Sequence, residues 1–411
     1  MESVGDVSRT WRWHFVVATA LTVPVAILLY FGLQSGAQQS NGIALAELTL
    51  PEEHLDYETL DLPGHFLVDD HPANGRLFAS NAAVENDNTP PSNPVTDAGA
   101  TLGRVLFYDE TLSASGAISC ASCHQQETGF SDPERFSEGF AGEETRRNSM
   151  ALINARFFED GTFFWDGRAP TLEEAVLEPF VDRVEMGLTE QQLVSLVQDQ
   201  SYYQALMEDA FGDPEVNTER ISLALSQFIR SIVSFESRYD EGRVQVGTQF
   251  DPFPNFTAEE NLGKDLFFQA PADATPCSGC HTSEAFVNTF FGPMNNGLDA
   301  ESTIDLGQFE ATADLDDIGK FKAPSLRNIA LTAPYMHDGR FATLTEVAEF
   351  YSTGVQDHPE LAPFMRNDEG NPEGRNFSTE ETAALVAFLE TLTDENIATD
   401  ERFSDPFPEM E

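Results

Sequence analysis

The chain has 411 residues, 41% of them hydrophobic, which is enough for two domains of ordinary size with a packed core in each and excludes a small disulfide-stapled module or a disordered tail. Its 70 acidic side chains against 22 basic ones leave a formal net charge of −48, so a polyanion is repelled over most of the surface and nucleic-acid binding is excluded. Only Lys264, Lys320 and Lys322 are lysines; a surface this acidic and lysine-poor is expected of a halophilic protein, with an acidic surface suited to ordinary buffer as the competing reading.

Arg9 and Arg12 precede Phe15–Leu33, a stretch of 19 residues without charge, and the small residues of Gln34-Ser35-Gly36-Ala37 follow. Residues 1–37 are therefore expected to direct export. Cleavage near Ala37 is one outcome; the uncharged stretch at 15–33 is also nearly long enough to remain as an inner-membrane anchor. Residues 38–93 form an N-terminal extension. His14, His54, His65 and His71 fall in the leader or this arm and read as export-region or surface residues, with a ligand crossing from the arm left open.

The first predicted helix contains Leu102-Gly103-Arg104-Val105-Leu106-Phe107-Tyr108, apolar at helical spacing. It leads to Cys120-Ala121-Ser122-Cys123-His124. Two thiols two residues apart with a histidine at the next position are the attachment signature of a c-type haem: the thiols add to the vinyl groups and the imidazole becomes an axial iron ligand. A redox dithiol or half of a zinc site explains the thiols but not the histidine. Beyond this motif come Trp165-Asp166-Gly167-Arg168-Ala169-Pro170-Thr171-Leu172 and Val184-Glu185-Met186-Gly187. No histidine lies between His124 and His281, so the first haem has no distal imidazole from its own half.

The same order then recurs. Thr257 with Glu260 reads as a capping box opening a second helix, which contains Leu262-Gly263-Lys264-Asp265-Leu266-Phe267-Phe268 and leads to Cys277-Ser278-Gly279-Cys280-His281. All four cysteines are thereby used, and no thiol is left for a disulfide. His337-Asp338-Gly339-Arg340-Phe341-Ala342-Thr343-Leu344 echoes the segment that begins at Trp165, so the repeat covers whole domains. Fourteen residues beyond Trp165 stands Pro179, whereas fourteen beyond His337 stands Tyr351. Proline has nothing to donate to iron and a phenol can bind as tyrosinate. On the residues alone, packing in a helix is the favoured account of both; if both face iron, the first haem is open and the second closed. His358 sits in a polar stretch before Pro359 and is expected to be solvated.

With two haem motifs, Trp-Asp-Gly-Arg, Val-Glu-Met-Gly and Ala333-Pro334-Tyr335-Met336-His337-Asp338-Gly339-Arg340 in this order from about Pro94 to about Leu389, the chain resembles the bacterial di-haem cytochrome c peroxidase and MauG family. The resemblance implies a mainly α fold of two tandem cytochrome c-like domains, one covalently bound haem c in each, after the export segment. Residues 94–255 would carry the peroxide-binding haem, 256–395 the electron-transfer haem, and 396–411 an acidic C-terminal tail.

Carried over by motif, Trp165 is the aromatic group between the haems, Glu185 the distal carboxylate and Tyr351 the second axial ligand at the iron held by His281. The resemblance also implies a calcium ion held by the Asn148 side chain and the backbone carbonyls of Thr332 and Pro334, oxygen donors that suit a hard cation. Glu173, Glu174 and Glu178 are read as solvated helix residues. Two departures stand out. Ala175 occupies the place of a family glutamine, for which Gln191 or Gln192 are weak substitutes. Tyr351 stands where the peroxidases have methionine and the MauG branch, whose members oxidise side chains of a partner protein, has tyrosine; Met336 and Met294 are the remaining methionine candidates.

Three activities are therefore in view. A periplasmic peroxidase would reduce hydrogen peroxide at the open haem with electrons from a small cytochrome c or copper protein. A MauG-like oxidase would use peroxide to oxidise aromatic side chains of a protein substrate. A plain electron carrier would have both haems closed, and Pro179 with the gap in histidines argues against it. A homodimer is compatible with each.

Overall fold

Helices form where apolar residues recur at three- and four-residue spacing behind a polar cap. The computed structural model describes residues 48–69, 81–158, 163–269, 276–288 and 292–408; the export segment with His14, and His71, lie outside them. Helix α1 (Asp97–Tyr108) starts where Thr96 Oγ1 accepts the Gly99 N–H. Helix α2 (Glu190–Asp199) opens on a Thr189/Gln192 capping box, and α3 (Ser201–Phe211) ends at Gly212 in the left-handed region. Asn217 caps α4 (Thr218–Ser231). The Thr257/Glu260 box expected from sequence opens α5 (Ala258–Phe268). Reciprocal boxes also open α6 (Leu344–Glu349) and α7 (Thr379–Glu390). No β-strand occurs among the described residues, only isolated bridges.

Among the described residues three hydrophobic clusters form, a small one around Phe66 and Phe157 and two larger cores built on helix pairs. The first of the larger cores packs α1 against α4 through Leu102, Leu106, Ala224 and Phe228; the second packs α5 against α7 through Phe267, Leu385 and Phe388. Tyr239 and Phe253 belong to the second core, so that core takes up residues that the repeat places in the first half. The two crossings share one device. A Cβ at Gly103 would sit 2.1 Å from the Ala224 carbonyl oxygen and 2.8 Å from Phe228 Cβ; a Cβ at Gly263 would sit 1.8 Å from the Ala384 oxygen and 2.8 Å from Phe388 Cβ. In each half a glycine thus lets two helix backbones meet. Gly263→Ala is expected to cost about 3 kcal/mol or more, at the upper end of core overpacking, measured by chemical denaturation against Gly64→Ala, where nothing lies within 4 Å.

The repeat extends into the loops. Asn154 and Asn328 are both fully buried in the left-handed region, at φ 60° each. Their Oδ1 atoms accept the Ser234 and Asp394 N–H groups. Arg104 and Lys264 follow the paired glycines and are both buried, donating to the Ser404 and Gln249 carbonyls.

Both arms fold back. The acidic C-terminal segment inserts Phe403, 1% exposed, into the first core, and its carbonyl accepts the Tyr108 hydroxyl. In the N-terminal arm the structure corrects the reading of His65 as a surface residue: it is buried, and its Nε2 lies 2.8 Å from Asp240 Oδ1. Asp240 also accepts from Arg327, also at 2.6 Å the Ser237 hydroxyl. His54 is exposed, as expected, beside Asp209. His358 is buried rather than solvated, with Nδ1 accepting the Glu360 N–H at 3.0 Å. Among the described residues no helix is long and apolar enough to cross a membrane.

Candidate active site

Each Cys-x-x-Cys-His motif forms one tight turn: Cys120–Cys123 is a helical turn capped by His124, and Cys277–Gly279 is a 3-10 turn capped by Cys280, with His281 next. The His124 Nδ1 lies 3.0 Å from the Phe130 carbonyl and the His281 Nδ1 3.1 Å from the Pro324 carbonyl. A carbonyl only accepts, so Nδ1 carries the proton and Nε2 keeps its lone pair, the tautomer a metal requires. Burial lowers both imidazole pKa values, that of His281 to about 4, which keeps the rings neutral. All four cysteines are free thiols. The donor sets therefore fit two covalently attached haems.

The second motif opens on a cavity of about 220 Å³, far above the roughly 10–15 Å³ that one water needs. Its wall is mostly apolar and includes Cys277, Cys280, His281, Trp165, Phe321 and Tyr351. The structure thus brings Tyr351 and His281 to the same cavity. Met294 and Met336, the other candidates, line it as well. Tyr351 lies on a single π-helical turn, Phe350–Gly354, that continues α6; such turns are frequent at functional sites. Burial pushes its phenol up to about 12, opposed by the hydrogen bond from Asn296 Nδ2 at 3.1 Å.

In the first half the same register is built differently. Thr171 caps Leu172–Ala175 as Thr343 caps α6, but the helix breaks and restarts as Glu178–Val181 with Pro179 at its second position. The chain then turns back through Met186 N–H to the Pro179 carbonyl. Glu185 is held on this turn from two sides: Asp182 Oδ1 accepts the Glu185 N–H at 3.1 Å, and the Glu185 carbonyl accepts the Phe140 N–H at 2.9 Å. Gly139 permits the approach, since a Cβ there would lie 1.7 Å from the Val184 oxygen.

The Glu185 carboxyl acts electrostatically on the Cys120 and Cys123 thiols and lines an open cleft of about 430 Å³ with Asp166, Arg168, Glu178 and Asp182. Burial, with Asp182 adding to it, raises its pKa to about 7. A carboxyl that titrates there can both take and return a proton near neutral pH. As the proton acceptor it must be ionised, so peroxide consumption is expected to fall about tenfold per pH unit below 7 and to level off above it; a pH series of second-order rate constants at limiting peroxide checks this.

Trp165 joins the two halves. Its Nε1 donates to the Asn148 carbonyl at 2.8 Å, its own carbonyl accepts the Lys322 N–H at 2.8 Å, and its ring lies edge-on to His337, centroids 6.5 Å apart. Phe321 stacks on His337 at 3.7 Å. Arg147 fixes the loop by pairing with Asp166 at 2.5 Å and Asp305 at 2.7 Å. Asn148 bridges the halves through its N–H to the His337 carbonyl, and its Nδ2 donates to the Glu134 carbonyl. Thr332 packs near Gly129 of the first half, and Pro334 follows a cis peptide.

Several sequence readings are corrected here. Glu173 is not solvated: it accepts from Arg230 at 2.5 and 2.9 Å and from Asn93 at 2.9 Å, because the buried Arg230 needs a counter-charge. Glu178 is partly covered and pairs with Arg168 at 2.6 Å. Gln191 and Gln192 do not replace the missing glutamine beside Ala175; both are exposed, and Gln192 caps α2. Sequence reasoning passed over Phe321, Lys322 and Asn296. Lys322 is buried over the Phe158 ring at 3.4 Å, and burial lowers its pKa to about 7. Its one sequence signal is rarity, as one of three lysines.

The sequence model of the family described as di-haem cytochrome c peroxidase matches residues 97–245. The methylamine utilization protein MauG of Methylorubrum extorquens is 32% identical over 311 residues, covering 75% of this chain and 82% of that protein. The cytochrome c551 peroxidase of Nitrosomonas europaea is 32% identical over 328 residues, covering 78% and 88%. Among solved structures, a MauG-like protein associated with microbial copper homeostasis superposes with a TM-score of 0.66 at 35% identity, covering 78% of this chain and 96% of that one.

Proposed function

The chain belongs to the di-haem cytochrome c peroxidase family, oxidoreductases that act on peroxide, which implies two c-type haems; within it we propose a periplasmic peroxidase that reduces hydrogen peroxide in its first half with electrons entering through its second. Two tandem cytochrome c-like domains, built on the two cores, would carry one haem each. When bound, the haems supply the iron at which the oxygen–oxygen bond breaks and the store from which electrons come.

The protein's part is positional. His124 and His281 offer neutral Nε2 donors, and the four thiols offer covalent attachment. Glu185 takes a proton from one peroxide oxygen and returns it to the departing oxygen, which leaves as neutral water; the remaining oxygen becomes a second water only with two electrons from the external donor and two protons from solvent. The observation that carries this reading is the Glu185 carboxyl, clamped by its backbone and titrating about 7 at the cleft beside the first thiols. Trp165 provides an aromatic contact between the halves, and a small cytochrome c or copper protein is the proposed donor. The Asn148 side chain and the Thr332 and Pro334 carbonyls, at the seam between the halves, are proposed to hold calcium. A halophilic setting and an export leader at 1–37 complete the proposal, supported by the charge of −48 and the uncharged stretch at 15–33.

One observation favours a second reading, a MauG-like oxidase acting on aromatic side chains of a partner protein: Tyr351, not a methionine alone, lines the His281 cavity. A steady-state assay with peroxide and reduced cytochrome c, run beside an anaerobic peroxide titration of the resting holoprotein, separates them. Rapid cytochrome oxidation is the expected result. A long-lived oxidised species with no cytochrome turnover overturns the peroxidase in favour of the oxidase, and inertness to peroxide sinks both.

A further inference from the structure

The cavity lined by His281 and Tyr351 has a third polar participant that neither the motifs nor the family comparison singles out. Asn296 belongs to the turn Met294-Asn295-Asn296-Gly297, and its amide orientation is fixed by chemistry. The Leu298 N–H, which can only donate, points at Asn296 Oδ1 at 3.2 Å. The other end of the amide is therefore the NH₂ group. That group faces the Tyr351 hydroxyl oxygen at 3.1 Å and, more distantly, the Met336 sulfur at 3.9 Å.

The turn is held rigidly against the segment that carries Tyr351. Asn295 is buried, its Nδ2 donating to the Gly319 carbonyl at 2.9 Å and its Oδ1 accepting the Gly297 N–H at 2.8 Å. The Gly297 carbonyl accepts the Gln356 N–H at 2.8 Å, five residues beyond Tyr351. Gly297 itself has φ +73°, and a Cβ there would meet the Gln356 carbonyl at 2.8 Å. The donor and the phenol are thus positioned by one framework.

We infer that Asn296 is a positioning residue for Tyr351, one that sets the reduction potential of the second haem by donating a hydrogen bond to the phenol oxygen. The inference rests on the reading of Tyr351 as the second axial donor. A phenolate that binds iron retains lone pairs for a hydrogen bond. Donation from the amide draws negative charge toward nitrogen and weakens the phenolate as a donor to ferric iron. The reduced state becomes easier to reach than with an unassisted phenolate, while the ligand stays oriented into the cavity. The amide acts as a tuning contact around the metal site, where outer partners adjust the ligand they touch.

The test is an equilibrium redox titration of the holoprotein, with optical and electron paramagnetic resonance spectra of the ferric state, on Asn296→Leu, Asn296→Asp and Tyr351→Phe. Asn296→Leu removes the donor. The ratio of reduced to oxidised second haem at a fixed ambient potential is expected to fall about tenfold, the order of one hydrogen bond to a charged oxygen and ~59 mV for a one-electron couple, with the low-spin signal retained. Asn296→Asp keeps an acceptor for Leu298 N–H, and so the turn, but presents a carboxylate to the phenol. The phenol then keeps its proton and donates it, so the low-spin signal is diminished, as it is in Tyr351→Phe. An unchanged potential in Asn296→Leu, or a wild-type spectrum in Asn296→Asp, overturns the inference while leaving Tyr351 as ligand, provided Tyr351→Phe alters the low-spin signal. If Tyr351→Phe leaves that signal unaltered, the ligand reading and the inference fall together.

Discussion

Glu185→Gln is expected to slow peroxide consumption by at least tenfold and on the order of a hundredfold, the usual worth of a positioned acid–base group, with haem content and fold unchanged. The substitution is nearly isosteric, and the contacts that hold position 185 come from its backbone, through the Phe140 N–H and the Asp182 carboxylate. What disappears is a group that changes protonation near neutral pH. Ordinary glutamate would be almost fully ionised there and a poor acid, whereas the buried carboxyl at about 7 populates both forms. The decrease below pH 7 expected of the wild type should vanish in the variant as well, because the carboxyl that burial raises to about 7 is gone. Stopped-flow peroxide kinetics across pH read both effects at once. Wild-type turnover in Glu185→Gln removes this carboxyl from the reaction.

Tyr351→Phe should abolish the low-spin signal of the second haem as seen in the wild-type ferric protein and leave the high-spin signal of the first intact. The ring stays, packed against Phe350 at 4.8 Å between centroids, so the cavity wall and the π-helical turn survive and only the oxygen is lost. Since tyrosinate favours ferric iron, the second haem should also become easier to reduce. Electron paramagnetic resonance of the oxidised holoprotein tests the assignment; two unaltered low-spin signals in both proteins would refute it, and with it the inequality of the two halves on which the enzymatic reading depends.

The parts of this protein legible in its sequence are those fixed by local spacing. The thiol-thiol-imidazole loops are encoded within five residues each, and the capping box at Thr257 and Glu260 within four. The register matching Pro179 with Tyr351 needed only the duplicated segments, and the structure puts each at the same distance along the chain from an equivalent threonine cap, Thr171 and Thr343. Long-range burial was illegible. Glu173 looks like any first-turn glutamate until Arg230, 57 residues away in sequence, buries its guanidinium against it. His65 and Asp240 are 175 residues apart. Nor did the acidic composition of the C-terminal segment reveal that one phenylalanine, Phe403, anchors it in the first core. Asn296 was hidden for a different reason: an asparagine before glycine reads as a turn former, and the turn masked the contact.

The distribution of the three lysines has a practical corollary. Lys264 is wholly enclosed and Lys322 is 7% exposed, while the Lys320 side chain, paired with Asp317, keeps 26% of its area in solvent. An amine-reactive tether would therefore find one lysine side chain to label, immediately before Phe321 and the wall of the second cavity. A molecule attached to an electrode through that side chain would present the flank beside the second cavity to the conductor, and voltammetry would show whether electrons enter there first.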